Sequence, residues 1–582
     1  MLRRLLLTLS LTLLTATIQG LAVAQEESYP VPEDSKPKDS VPKGKLYGPF
    51  TFDQSKIFPG TTREYGIYVP AQYNDIKPAC LLVVQDGMGK ANQWKLPTIL
   101  DNLIHKGEVP VQIAVFVSPG VVPAADGTSQ ARFNRSFEYD GMGDRYARFL
   151  IEEFLPGISE NWNISQDPND RAIAGSSSGA ICAFTAAWER PDSFRRVIST
   201  VGTYVGLRGG HEYSTLIRKF EPKPIRIFMQ DGSNDLDIYG GDWWMANQAM
   251  YRSLKWAGYE VTNAWGEGGH NGKHAAAIMP QAVKYIWHDY PEPVKAGMAE
   301  PAKRRTEILI PGEDWQEVSS GHKFTEGPAV NSKGEVFFTD IPNNRIHKVE
   351  LDGTVTVFAE NTAKANGLMF GPDGKLYACK NGEQKIVRYD ETGKEETVLE
   401  NAPSNDVVLL HNGTGYYTDP TNKSVWFFKP DGTKKLVDSG IEFPNGVITS
   451  ADQAFLSVSD TRGRFTWSYR IQPDGSLTDK QQYGHLHVPD DSGQSGADGM
   501  AVDVEGRTYV TTKLGLQVLD QPGRVHIILK KPSNGWLSNV VFGGPELDTL
   551  YVTCGDRVFK RRVNAKGVNP WQAPPKQPKP RL

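Results

Sequence analysis

Gly175-Ser176-Ser177-Ser178-Gly179 places a serine between two glycines, directly after the apolar run 171–174 and before the helical pattern 180–188. A G-x-S-x-G motif between strand and helix lifts the serine hydroxyl above a sheet, and glycine tolerates the crowding of so sharp a turn. Ser177 then needs a base that is itself oriented by a carboxylate. In the hydrolase chain order, the acid and then the histidine follow the serine. Two downstream loops fit. QDGSNDLD offers Asp231, Asp235 and Asp237, and WGEGGHNGKH offers His270 and His274. Asp235 is preferred because it lies a few residues past the strand IRIFM, where a carboxylate can reach across the sheet edge; Asp237 is the reserve. His270 follows two glycines in a loop, whereas His274 begins a helical pattern and reads as a cap or supporting donor. The oxyanion hole should combine the Ser178 backbone N–H with one from the loop after LLVVQ, at Gly87 or Met88. Asp86 reads as a residue that fixes that loop.

A second set of polar residues recurs at a regular interval. Glu326, Asn366, Asn405, Asn445, Asp498 and Asn539 each precede a short apolar strand, a turn and an aromatic or β-branched strand, and step along the chain by 40, 39, 40, 53 and 41 residues. Six units of this size, each a small antiparallel sheet, make a six-bladed β-propeller in which equivalent positions meet at the central channel. Carboxylates and amide oxygens, with no Cys or His among them, form a hard-cation set suited to Ca²⁺. Asn or Asp before Gly also makes ordinary turns, but six in register argue for the channel. The longer step, through YGHLHVPDDSGQSG, would place His485, His487, Asp490 and Asp491 near the channel mouth.

Two scaffolds must hold these sets. Over about 46–293, apolar runs (LLVVQDG, QIAVFVSPG, RAIAGSSSG, IRIFMQDGSND) alternate with helical stretches, which means an α/β domain with a parallel sheet and flanking helices. Over about 306–565 helical patterns give way to the repeat. Residues 25–45 are polar and Pro/Lys-rich and read as a flexible leader; 294–305 read as a linker and 566–582 as a Pro-rich tail. Arg3 and Arg4, the leucine-rich run and Ala22-Val23-Ala24 read as a signal peptide over 1–24, hence export to the periplasm or beyond. With 64 Lys+Arg against 68 Asp+Glu and a formal charge of −4, the 582-residue chain has no electrostatic footprint for nucleic acid. Cys80, Cys182, Cys379 and Cys554 are isolated in apolar runs and read as buried hydrophobes.

LLVVQDG, GDRYARFLIEEFLP, AGSSSGA, DGSNDLDIYGGDWWMANQ and GGHNGKH together resemble the enterochelin-esterase branch of the α/β-hydrolases. The resemblance implies serine ester hydrolysis, with members acting on siderophores and on acyl groups of plant polysaccharides; the substrate itself does not carry over. FTEGPAV, SNDVVL, FPNGVI and ADGMAVD resemble the gluconolactonase, senescence-marker-protein and LRE-like propellers, which are similar to diisopropylfluorophosphatase. That resemblance implies a divalent-cation site at Glu326, Asn405, Asn445 and Asp498, with Asn366 and Asn539 lining the channel, and metal-assisted opening of a lactone or related ester. Asp406, beside one implied ligand, is the candidate base. The expectation is an exported bifunctional hydrolase acting on carbohydrate-derived esters and lactones. Its rival is a serine esterase carrying an inert, metal-stabilised propeller that binds substrate or partner.

Overall fold

The computed structural model describes residues 27–297 and 306–580; the signal-peptide and most of the linker expectations fall outside them. In the first unit eight strands form one sheet: β1 (Lys45–Phe52), β2 (Arg63–Val69), β3 (Cys80–Gln85), β4 (Gln112–Val117), β5 (Arg171–Ser176), β6 (Arg196–Thr200), β7 (Arg226–Gly232) and β8 (Glu260–Gly266). Their spatial order is β1-β2-β4-β3-β5-β6-β7-β8. From β4 to β8 every neighbour is parallel, but β2 runs antiparallel to both β1 and β4. The sheet is therefore mixed where the sequence predicts a parallel one. The β1–β2 connection, 53–62, is shorter than the dozen or more residues a parallel crossover requires.

Every residue of β3 to β7 is buried, as continuous apolar runs require when both sheet faces are covered. One face is covered by α1 (Met88–Gln93), α2 (Leu96–His105) and α5 (Lys273–Trp287). The other is covered by α3 (Ser178–Glu189) and α4 (Trp243–Ala257). All of α3 except Glu189 is buried, so the helix behind the nucleophile loop is locked into the core. Truncating its Trp188 to Ala should cost about 3–5 kcal/mol. The four cysteines are free and buried, and no described helix is long and apolar enough to cross a membrane.

The second unit has six four-stranded antiparallel sheets. Their innermost strands are Thr325–Val330, Ala365–Phe370, Val407–Leu409, Pro444–Thr449, Met500–Val502 and Leu537–Gly543. The last blade takes its outermost strand, Gln316–Ser319, from the start of the unit, paired antiparallel with Arg557–Arg562. That pairing closes the ring and leaves neither chain end of the array as an open edge.

Two sequence expectations about connecting segments change. The stretch 27–44, read as a flexible leader, lies against the first unit: Asn102 donates to the Asp34 and Lys36 carbonyls at 2.9 and 3.0 Å, and Lys106 and Lys284 pair with the Asp34 carboxylate. Composition denies this stretch a core of its own, but it borrows one. The insertion expected at the channel mouth instead engages the first unit. Asp490 accepts from the Met142 N–H at 3.2 Å and His487 Nε2 lies 2.8 Å from Lys219 Nζ, while His485 stacks on Phe465 and Asp491 is exposed. Beside them Glu221 joins the Lys530 N–H at 2.7 Å and Arg561 at 2.8 Å, so the extra dozen residues form part of the seam between the units.

Candidate functional site

Strand β5 ends in a turn that only its glycines permit. Ser177 sits at φ 59°, ψ −123°, a positive-φ conformation costly for a residue with a Cβ. A Cβ on Gly175 would lie 1.9 Å from the Gly179 carbonyl oxygen, and one on Gly179 would press on Gln85 and Asp86 at 3.0 and 3.1 Å. The turn presents Ser177 Oγ to His270 Nε2 at 2.8 Å, and His270 Nδ1 meets Asp235 Oδ1 at 2.5 Å. Asp235 follows β7 and His270 follows β8, so two loops at the carboxyl ends of adjacent parallel strands converge on the serine. The Asp235 side chain is fully buried. Asp237 lies exposed in a two-residue ribbon. His274, inside α5, faces Gln230 at 3.2 Å and stacks on Tyr29 at 4.6 Å.

Behind this relay lies a second carboxyl group. Burial, and then the charge and hydrogen bond of Asp235, push Asp231 up to about 9, whereas Asp235, despite burial, is held low by His270 and Asp231. Asp231 Oδ2 and Asp235 Oδ2 are both buried without a partner among the described residues if both groups are ionised. A proton kept on Asp231 and donated to Asp235 satisfies both.

Of the two N–H candidates after β3, Gly87 donates to the Val117 carbonyl at 3.0 Å. Its N–H is consumed by the sheet, so Gly87 drops out. Met88 and Ser178 remain, each the first residue of a helix (α1 and α3), where N–H groups have no intrahelical acceptor. Sequence reasoning missed Arg135, which forks onto Asp86 at 2.7 and 3.0 Å and donates to the Ser176 carbonyl at 3.2 Å. It ties the loop after β3 to the nucleophile turn. Arg135 precedes the serine by forty-odd residues with no motif around it, so only the fold reveals it. Trp243, whose Nε1 donates to Thr203 Oγ1 at 3.2 Å, stands edge-on to the His270 ring.

At the propeller axis Asn539 Nδ2 donates to Glu326 Oε2 at 3.0 Å and to Asp406 Oδ2 at 3.3 Å. Trp536 Nε1 donates to Asp498 Oδ2 at 2.7 Å. All three carboxyl groups are buried. Burial lifts Glu326 to about 7; burial and the Glu326 charge hold Asp406 and Asp498 well above the carboxylate range. Asn445 Oδ1 and Asn366 Oδ1 are buried acceptors with no partner among the described residues. Crowded carboxylates and orphaned amide oxygens are what a hard divalent cation would satisfy, so the residues fit one. The structure brings Asp406, read from sequence as a base, into this carboxylate group. Asn405 lines a cavity of about 400 Å³ together with Asn381, Thr421, Lys423, Phe443 and Arg462. A separate trio, His322, Asp340 and His347, offers nitrogen and oxygen atoms within 4.8 Å of one another. Asp340 there already receives the Lys323 and Phe324 N–H groups and Asn343.

Residues 55–324 match the Esterase family model and residues 324–556 match the SMP-30/Gluconolactonase/LRE-like region. The chain joins an esterase-family region to a gluconolactonase-like propeller. It is a hydrolase acting on ester bonds, with esterase and lactonase-like parts. It is similar to the gluconolactonase of Zymomonas mobilis, 25% identical over 43% of this chain and 81% of that protein. It is also similar to pentonolactonase XacC of Haloferax volcanii, 24% identical over 40% of this chain and 83% of that protein. A solved gluconolactonase from Xanthomonas campestris is 24% identical, with a TM-score of 0.40, over 44% of this chain and 90% of that one.

Proposed function

We propose that the first unit is an α/β-hydrolase in which Ser177, His270 and Asp235 carry out ester hydrolysis, and that the propeller is a second, cation-dependent lactonase centre of the same exported protein. The observation that carries the esterase reading is the unbroken contact chain from Ser177 Oγ through His270 to Asp235 at a strained strand–helix turn. Ser177 Oγ attacks the acyl carbonyl while His270 Nε2 takes its proton, and Asp235 holds the imidazole in the required tautomer. The negative oxygen of the tetrahedral intermediate receives the Ser178 and Met88 N–H groups. His270 returns the proton to the leaving alcohol; water, deprotonated by the same nitrogen, then releases the acid from Ser177.

In the propeller Glu326, Asp406, Asp498 and Asn445 would hold a divalent cation, which when bound supplies Lewis-acid polarisation of a lactone carbonyl. Asn539 bridges Glu326 and Asp406 and keeps their charges in place, and Asn405, Phe443 and Arg462 shape the cavity that would receive the ring. The names of the relatives support a sugar-derived lactone as the substrate. The cationic and apolar pattern at the chain's start, ending in Ala22-Val23-Ala24, supports export.

The test is a panel of aryl esters and sugar lactones on the intact protein, on S177A and on E326Q, each with and without chelator. Ester hydrolysis should vanish in S177A and ignore chelator, whereas lactone hydrolysis should vanish in E326Q and with chelator. A propeller inert to every lactone with Ca²⁺ restored would leave it a binding module.

A further inference from the structure

We propose that Glu27, in the segment preceding the first strand, is a positioning residue of the esterase centre that holds the His270 loop from both sides; the inference rests on His270 acting as the base. One oxygen, Glu27 Oε2, accepts from Asn271 Nδ2 at 2.7 Å and from the Gly269 N–H at 3.4 Å. Gly269 and Asn271 are the two residues that flank His270. Two residues on, Tyr29 stacks flat on His274 at the head of α5, with ring centroids 4.6 Å apart and planes 11° apart. The segment thus grips the loop on both sides of the imidazole and at the helix that follows.

Gly268 independently records this approach. A Cβ there would sit 2.0 Å from Glu27 Oε1 and 2.9 Å from the Tyr29 hydroxyl. Gly268 is the first of the Gly-Gly pair that marks the histidine loop in the sequence, and the 27–29 segment occupies the space its side chain would take. Burial alone would raise the Glu27 carboxyl, but Asn271, Tyr29, the Gly269 N–H and the charge of Lys273 keep it below its ordinary range. The group is therefore an anion and a strong acceptor at neutral pH. Among the described residues the His270 ring nitrogens meet Asp235 and Ser177, and Glu27 binds the residue on either side of its backbone.

A displacement of about 1 Å in a catalytic group can cost on the order of 100-fold in rate. The experiment uses the full chain and compares wild type with E27A, E27Q, G268A and the E27A/G268A double variant. Readouts are kcat and KM on p-nitrophenyl acetate, normalised to the serine titrated by a fluorophosphonate, and the melting temperature. E27A should lower kcat by roughly 10- to 100-fold with KM changed by less than about twofold. E27Q, which keeps an oxygen acceptor, should recover part of that loss. G268A should reproduce the E27A loss by expelling the same side chain, and the double variant should be no worse than either, because both remove one interaction. Wild-type kcat in E27A beside an inactive S177A overturns the proposal, as does a double variant whose losses add. Activity surviving in S177A would remove the premise on which the proposal stands.

Discussion

Asp235→Asn separates the Ser177–His270–Asp235 relay from its nearest alternative, one that uses Asp237. The carboxylate is fully buried and meets His270 Nδ1 through Oδ1 at 2.5 Å, so solvent cannot replace it. An Asn side chain that turns its NH₂ toward Nδ1 forces the imidazole proton onto Nε2, the atom 2.8 Å from Ser177 Oγ. The base is then already protonated where it must accept, and the positive imidazolium loses its counter-charge. In serine hydrolases with this arrangement the change costs about 10⁴ in kcat, equivalent to about 5 kcal/mol of transition-state stabilisation. Initial rates on p-nitrophenyl acetate at pH 7, with S177A as the floor, should fall by about 10³–10⁴ in D235N. Asp237 is exposed and pairs with Asp242 in its short ribbon, so D237N should stay within about twofold, as surface changes usually do. A D235N enzyme within about tenfold of wild type, or a D237N loss of equal size, would refute the relay.

Three further outcomes follow. Asp231, lifted from 3.8 to about 9, keeps a proton in the folded protein that the unfolded chain has lost. Folding stability contributed by this group is therefore greatest at acid pH and declines as pH rises from about 4 toward 9. D231N should show a smaller fall in melting temperature between pH 6 and 9 than wild type; an unchanged slope would count against the shared proton. At the propeller axis a cation must displace protons from carboxyl groups held above their ordinary values. Ca²⁺ affinity measured by calorimetry should therefore rise as pH increases from roughly 5 to 8 and be lost in E326Q or D498N. In the first unit Arg63 and Glu138 form a bidentate pair with both side chains fully buried. E138A should destabilise that unit by about 3–5 kcal/mol in a denaturant titration, because it leaves an unpaired buried cation.

Much of this architecture is legible in the chain alone, since local patterns carry it. Continuous apolar runs marked the buried strands, G-x-S-x-G between strand and helix marked the turn, and a recurring acid or amide about every 40 residues marked the blades. These signals survive because strand burial, glycine-dependent turns and blade periodicity depend on residues close in sequence. Choices between close neighbours were not legible. Asp235 and Asp237 are two residues apart, so on an extended strand they would share a face and alternation cannot separate them; the loop's path does. Gly87 and Met88 differ only in which N–H the sheet consumes, and that depends on Val117, thirty residues away. Asn405 and Asp406 are adjacent, and only the convergence of six blades turns Asp406 toward Glu326 and Asn539.

The leader shows the same division. Its composition says correctly that it has no core of its own, but contact with a preformed surface is a property of the folded body. Thus residues 27–29 reach the histidine loop although nothing in their own sequence requires it. The sequence determined the two scaffolds and the chemical types each presents. Tertiary structure decided which individual atoms meet, because segments distant in the chain become neighbours only when the sheet and the ring of blades have closed.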